Sequence, residues 1–190
     1  DQLPESADVA LILNPRVTVE ELLSSICDEL KIERHQDELT VKQYIDLLSE
    51  YLLDAYSKGR RTVLLIDEAQ NLSFDVIEQV RLLTNIETAR EKLLQIILVG
   101  QPELIDLLNR NELRQVAQRI TARYHLKPLS LQETYGYIRH RLKIAGADRP
   151  LFSNSAIILL RILSGGIPRL VNIISDRALL GAYASGAAQA

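Results

Sequence analysis

The chain has 190 residues, 47% hydrophobic and 25% charged, with one cysteine, Cys27, and a net charge of -3. That balance excludes a disordered chain and supports one core of ordinary size, or one domain with a small satellite. One cysteine excludes an intrachain disulfide and fits a reducing compartment, and no apolar run exceeds five residues, too short for a membrane span or a signal-peptide core.

The chain opens at Asp1 and contains no methionine, as expected of a piece excised from a longer gene product. Charge is unevenly spread, with 21 acids against 10 bases in residues 1–109 and 4 acids against 12 bases in residues 110–190. The second half therefore offers a basic surface to phosphate, whether of a nucleotide or of DNA.

Residues 9–13, Val-Ala-Leu-Ile-Leu, read as a buried strand closed by Asn14-Pro15. Thr18 with Glu21 three residues on makes a capping box for a helix through Leu22, Leu23, Ile26 and Leu30, and residues 32–38 read as a charged loop. Thr40 caps a longer amphipathic helix carrying Tyr44, Leu48, Leu52 and Ala55, which Gly59 ends.

Next comes Thr62-Val-Leu-Leu-Ile-Asp-Glu-Ala-Gln70. Its apolar run has no polar alternation, as in a parallel strand covered on both faces, and it ends in Asp67 and Glu68. Ligands of open α/β sheets bind just past the carboxyl ends of such strands. Two acids there suit nucleotide hydrolysis, because Mg2+ prefers hard oxygen ligands and a second acid can orient or deprotonate the attacking water. The pattern is that of a Walker B motif; the competing reading is a helix-capping Asp followed by a solvated Glu.

Ser73 caps a helix with apolar residues from Val76 to Ile86, residues 93–99 form another buried strand, and Pro102 opens a short helix through Leu107. Residues 112–120 read as a helix and residues 122–126 as a short alternating strand. Up to Leu129 the alternation is that of a doubly wound parallel sheet. From Ser130 onward the pattern is helical only, with helices from Ser130 to about Gly146, from Asn154 to Ser164, and from Pro168; residues 185–190 read as a frayed tail. The predicted fold is an α/β core over residues 1–128 followed by a small all-helical domain over residues 129–190.

Gln101, past the strand at residues 93–99, is placed either to reach a terminal phosphate or to stabilise the turn before Pro102. Arg114, Arg119 and Arg123 are either solvated bases or a source of one arginine reaching a neighbouring subunit's nucleotide, and Arg119, nearest the helix end, is the choice among them. In Gly165-Gly-Ile-Pro-Arg169 the glycines release one helix and Pro168 starts the next, placing Arg169 in a first turn where the helix dipole does not favour a cation. An anionic ligand there would offset that cost.

In combination these stretches resemble an AAA+ ATPase. Ile66-Asp-Glu-Ala-Gln-Asn-Leu72, Leu94-Gln-Ile-Ile-Leu-Val-Gly-Gln-Pro-Glu-Leu104, Gln118-Arg-Ile120 and Gly165-Gly-Ile-Pro-Arg169 resemble, more narrowly, the general secretion pathway protein A family. That family includes the ExeA-type ATPases of type II secretion and the related ATPases of MSHA-type pilus biogenesis. The resemblance implies a P-loop NTPase fold with a helical lid, ATP and Mg2+ as cofactors, a cytoplasmic setting, a homo-oligomer, and secretion or pilus assembly proteins as partners. It implies Asp67 as the Mg2+-side acid, Glu68 as the base, Gln101 as first sensor, Arg119 as the trans-acting arginine and Arg169 as second sensor.

The family's phosphate-binding loop should precede residues 9–13, but the sequence holds no Gly-Lys pair. Without that loop the chain is expected to bind ATP poorly and to be inactive by itself. Its sheet is expected to lack the first strand, leaving a gap, a borrowed strand or a direct pairing of the strands that remain. The alternative reading is a DNA-associated AAA+ helper of the transposition or initiator type, motivated by nine bases against three acids between Arg110 and Arg149. A third is a non-hydrolysing interaction module.

Overall fold

A computed structural model describes residues 7–13, 15–34, 39–89 and 91–186. Asn14, residues 35–38 and residues 187–190, which carry parts of the expected turn, charged loop and tail, lie outside them. The chain divides into two compact units, Asp1–Ala122 and Arg123–Ala190.

In the first unit three parallel strands, β1 (Ala7–Ile12), β2 (Arg61–Ile66) and β3 (Leu94–Leu98), lie in the order β1-β2-β3. Ile12 is opposite Ile66, and Ile66 opposite Leu98, so all three strands end at one level. Helices α1 (Val19–Glu29), α2 (Val41–Ser57) and α3 (Phe74–Leu83) connect them, and α4 (Glu103–Leu108) and α5 (Arg114–Arg119) follow β3. The capping boxes at Thr18 and Thr40 are both formed, with Glu21 and Gln43 as the reciprocating side chains. Each satisfies amide donors that a helix start leaves unpaired.

Helix α1 packs on β1, α2 and α3, and α2 packs on β2. Their inward faces, including Leu22, Ile26, Leu48 and Leu52, enclose Ala10, Leu64 and Ile66, all with at most 1% exposure. Burying such side chains stabilises the unit by about 1.5–3 kcal/mol each relative to exposure. Cys27 belongs to this core, and burial pushes its thiol up to about 11, against the opposing pull of Arg34. At the amino ends of the strands, Asp8 accepts hydrogen bonds from the Tyr51 hydroxyl at 3.0 Å and from Arg60 at 3.2 Å, tying β1 to α2 and to the start of β2. On the free edge of β1, the Glu29 carboxylate accepts from the Leu11 N–H at 3.3 Å.

Four local expectations are corrected. Residues 122–126 form no strand: they carry no regular secondary structure, with Tyr124 90% and Leu126 82% exposed. A strand exists only through its ladder, and residues 122–126 belong to none of the described strands. Of the outcomes expected for the sheet, the three described strands pair directly with one another, and no described strand lies on the outer side of β3. Only β2 is largely covered on both faces; β1 and β3 are edge strands, and Leu11, Ile97 and Val99 are exposed. The helix expected over residues 112–120 is a 3-10 turn, Asn111–Leu113, running into α5. Helix α3 stops at Leu83 because Thr84 turns its hydroxyl back onto the Arg81 carbonyl, and Ile86 belongs to the loop that follows.

The second unit consists of α6 (Leu131–Ile144), α7 (Asn154–Ser164) and α8 (Pro168–Ala184). Ser130 and Glu133 form the capping box of α6, and Ile138, Phe152, Ile157, Leu160 and Val171 make the core. The turn between α7 and α8 needs both its glycines, for different reasons. Gly165 has φ +60° and Gly166 φ +79°, conformations side chains disfavour. At Gly166 space is also short: the Leu129 N–H donates to the Gly166 carbonyl at 2.8 Å, and a Cβ there would stand 2.3 Å from the Leu129 oxygen. At Gly165 a Cβ would meet nothing within 4 Å. Gly165→Ala is therefore expected to cost about 1 kcal/mol and Gly166→Ala about 3 kcal/mol or more in denaturant unfolding, since only the second adds a backbone clash to the dihedral penalty. Equal losses would contradict this account of the turn.

Candidate functional site at the carboxyl end of the sheet

The ladder does not stop where β2 ends. Asp67 N–H donates to the Ile12 carbonyl, Val99 N–H to the Ile66 carbonyl, and Ala69 N–H to the Val99 carbonyl, each at 2.9 Å. The last bond draws the chain sideways from β2 across the end of β3. To make that step Glu68 adopts φ 51° and ψ 36°, a left-handed conformation. Among described non-glycine residues only Lys31 shares a positive φ. Such a backbone costs about 1–3 kcal/mol and persists where its surroundings impose it, a pattern common at functional sites.

Asp67 steadies the step, its Oδ1 accepting the Glu68 N–H at 2.8 Å. A 3-10 turn, Ala69–Asn71, follows and folds Gln70 back over the acid. The Glu68 Oε2 accepts from the Gln70 amide at 2.5 Å and from the Gln101 amide at 3.2 Å. The Gln70 Oε1 in turn accepts the Gln101 backbone N–H at 3.1 Å. Glu68 and Gln70 are half-buried and Gln101 is exposed. Arg16, just after β1, reaches the Asn71 Oδ1 at 3.5 Å on the same end of the sheet.

The structure thus joins Asp67, Glu68 and Gln101, three residues singled out from the sequence. It adds Gln70, whose signal was its position two residues past Glu68 in the Asp-Glu-Ala-Gln motif. A 3-10 turn between them was not legible there. Arg119 lies elsewhere in its own unit, at the end of α5, donating to the Thr84 Oγ1 at 2.7 Å and to the Asn85 Oδ1 at 2.5 Å. Arg169 is exposed in the first turn of α8, in the second unit.

Chemically, the cluster holds a carboxylate by two amide donors on one oxygen at the mouth of a parallel sheet. Oxygen donors of this kind suit a hard cation, and no group of three or more His, Cys, Asp and Glu gathers around a metal position among the described residues.

A family described as AAA domain matches residues 1–108. The chain belongs to this AAA domain family. It is also similar to General secretion pathway protein A of Aeromonas hydrophila, at 51% identity over 185 residues, covering 97% of this chain and 34% of that protein. The chain therefore spans about a third of the length of that relative.

Among solved structures it is similar to Cdc6p from Pyrobaculum aerophilum, with a TM-score of 0.73 and 17% identity over 97% of this chain and 50% of that one. The ADP form of the Aeropyrum pernix ORC2 protein gives 0.66 and 15% identity, over 96% and 50% of the two chains. The RuvB Holliday junction branch migration motor of Thermotoga maritima gives 0.53 and 16% identity, over 95% and 57%. At these identities the likeness shows the fold, an α/β AAA+ fold with a helical part.

Proposed function

We propose that this chain is the ATPase module of a secretion protein resembling general secretion pathway protein A, in which ATP hydrolysis drives assembly or remodelling of partner proteins. The observation that carries the reading is the Glu68 carboxylate held by Gln70 and Gln101 where β2 and β3 end together. Support for the secretion setting comes from the 51% identity to General secretion pathway protein A. Type II secretion is the primary assignment, with MSHA-like pilus assembly as its near variant.

In this reading residues 1–128 are the AAA+ core and residues 129–190 its helical lid. Asp67 is the acid on the magnesium side, and Glu68 holds and deprotonates the attacking water. Gln101 reads the terminal phosphate, and Arg169 supplies a cation from the lid. Mg2+ and ATP, when bound, supply the phosphoryl group and neutralise charge on its oxygens. The setting is cytoplasmic, where ATP is held, and the working form is a homo-oligomer in which Arg119 serves a neighbouring subunit. The DNA-associated alternative is the weaker reading, since likeness at 15–17% identity carries fold alone.

In the full-length gene product, Glu68→Gln is expected to keep ATP binding while losing turnover by about 100-fold or more, the usual scale for removing a general base. Turnover equal to wild type would remove Glu68 from the mechanism. Residues 1–190 alone, lacking a Gly-Lys pair, are expected to bind ATP weakly or not at all in calorimetry. Arg119 is tested by mixing. Full-length Arg119→Ala and Glu68→Gln proteins are each expected to be inactive, and their mixture to regain part of the turnover, because some interfaces then pair an intact Glu68 with an intact Arg119. A mixture as inactive as its components would place Arg119 in its observed role, bracing the Thr84–Asn85 turn.

A further inference from the structure

The proposed function gives Gln70 no chemical task of its own, yet its side-chain amide is engaged at both of its polar atoms. Its nitrogen donates to the Glu68 carboxylate at 2.5 Å, and its oxygen accepts the Gln101 N–H at 3.1 Å. A primary amide presents an acceptor and a donor on one rigid plane, so a single side chain can tie a carboxylate to a backbone N–H. The Ala69–Val99 bond holds the two backbones together, and the Gln70 amide repeats that connection one layer out, between side chain and turn.

Gly100 provides the room. A Cβ at Gly100 would stand 2.7 Å from the Gln70 Oε1 and 3.1 Å from the Leu104 Cδ2. Gly100 is not among the glycines with positive φ, so the requirement there is for space rather than for an unusual backbone. The nearest obstacle is the tip of a flexible side chain, so an added methyl would displace the Gln70 amide before it disturbed the backbone.

We propose that Gln70 is a positioning residue that clamps the Glu68 carboxylate to the Gly100–Gln101 turn, so that the base and the phosphate-reading amide are placed as one unit. The proposal rests on the roles given above to Glu68 and Gln101. Two donors converge on Glu68 Oε2, Gln70 from its own turn and Gln101 from the neighbouring strand end. With Gln70 removed, the Gln101 side chain is exposed and alone in restraining the acid. The amide that reads phosphate would then also have to hold the base, and engaging one task would release the other.

The test uses the full-length gene product. Gln70→Met keeps the length of the side chain and removes both hydrogen bonds. Gln70→Glu keeps an acceptor for the Gln101 N–H but sets a carboxylate against Glu68. For Gln70→Met, kcat for ATP hydrolysis is expected to fall about 10- to 100-fold, the scale of a misplaced catalytic group, with KM within about threefold of wild type. Gln70→Glu should fall at least as far. Hydrogen exchange followed by mass spectrometry should quicken in the peptide containing Gln101 in Gln70→Met and remain protected in Gln70→Glu, a readout independent of turnover. Gly100→Ala should behave as Gln70→Met, and the double variant should fall no further than Gln70→Met alone, since both remove the same clamp.

Wild-type kcat in Gln70→Met overturns the proposal. So does unchanged exchange at the Gln101 peptide, or a loss of kcat accompanied by an equal rise in KM and faster exchange throughout the protein, which would mark a purely structural role. If Glu68→Gln turns over ATP like wild type, the assignment of Glu68 fails and the clamp falls with it. If Glu68→Gln is inactive while Gln70→Met is fully active, the clamp alone fails.

Discussion

In a parallel sheet the last ladder bond of a strand decides where the chain goes next. Here the Ala69 N–H, already beyond β2, donates to the carbonyl of Val99, beyond β3. That bond carries the turn after β2 across the end of its neighbour, and Glu68 accepts a left-handed backbone to make the crossing. The placement of the Glu68 side chain follows from it. With the backbone turned this way, the carboxylate comes within hydrogen-bond reach of amides on two segments, Gln70 from its own turn and Gln101 from the next strand. The strain at Glu68 is offset by that stitching, which is why it persists.

The two ends of the sheet are built differently. At the amino end, Asp8, Tyr51 and Arg60 close on one another and fasten helix to strand, and Tyr51 is held protonated to higher pH than usual, first by burial and then by its bond to Asp8. That end is structural. At the carboxyl end, donors and acceptors converge on one acid, beside a turn that only glycine leaves open. Membership of the AAA domain family gives this asymmetry its meaning, since ligands of open α/β sheets lie beyond the carboxyl ends of the strands.

Much of this was legible in the sequence because its signals are local. The capping boxes at Thr18 and Ser130 and the apolar run before Asp67 mark their elements through residues three or four apart. What was not legible depends on partners. Residues 122–126 have the alternation of a strand but join none of the described strands, and their side chains are exposed. The strand residues of β1 and β3 look fully buried in sequence, yet among the described residues each strand pairs on one side only. Helix α3 ends early through the Thr84 hydroxyl, one side chain competing with the next backbone bond. The placement of Asp67, Glu68 and Gln101 just past the ends of β2 and β3 was readable from the sequence, whereas that of Gln70 required knowing that a 3-10 turn and a bare Gly100 bring an amide between them.

The central claim is that the end of the sheet formed by Asp67, Glu68, Gln70 and Gln101 is the hydrolytic half of a nucleotide site. A crystal structure of the full-length Glu68→Gln protein with ATP and magnesium tests it most directly. The account predicts the terminal phosphate beyond the ends of β2 and β3, with Asp67 on the magnesium side and the Gln101 amide within hydrogen-bond reach of a phosphate oxygen. A nucleotide bound with its terminal phosphate away from these residues would contradict it.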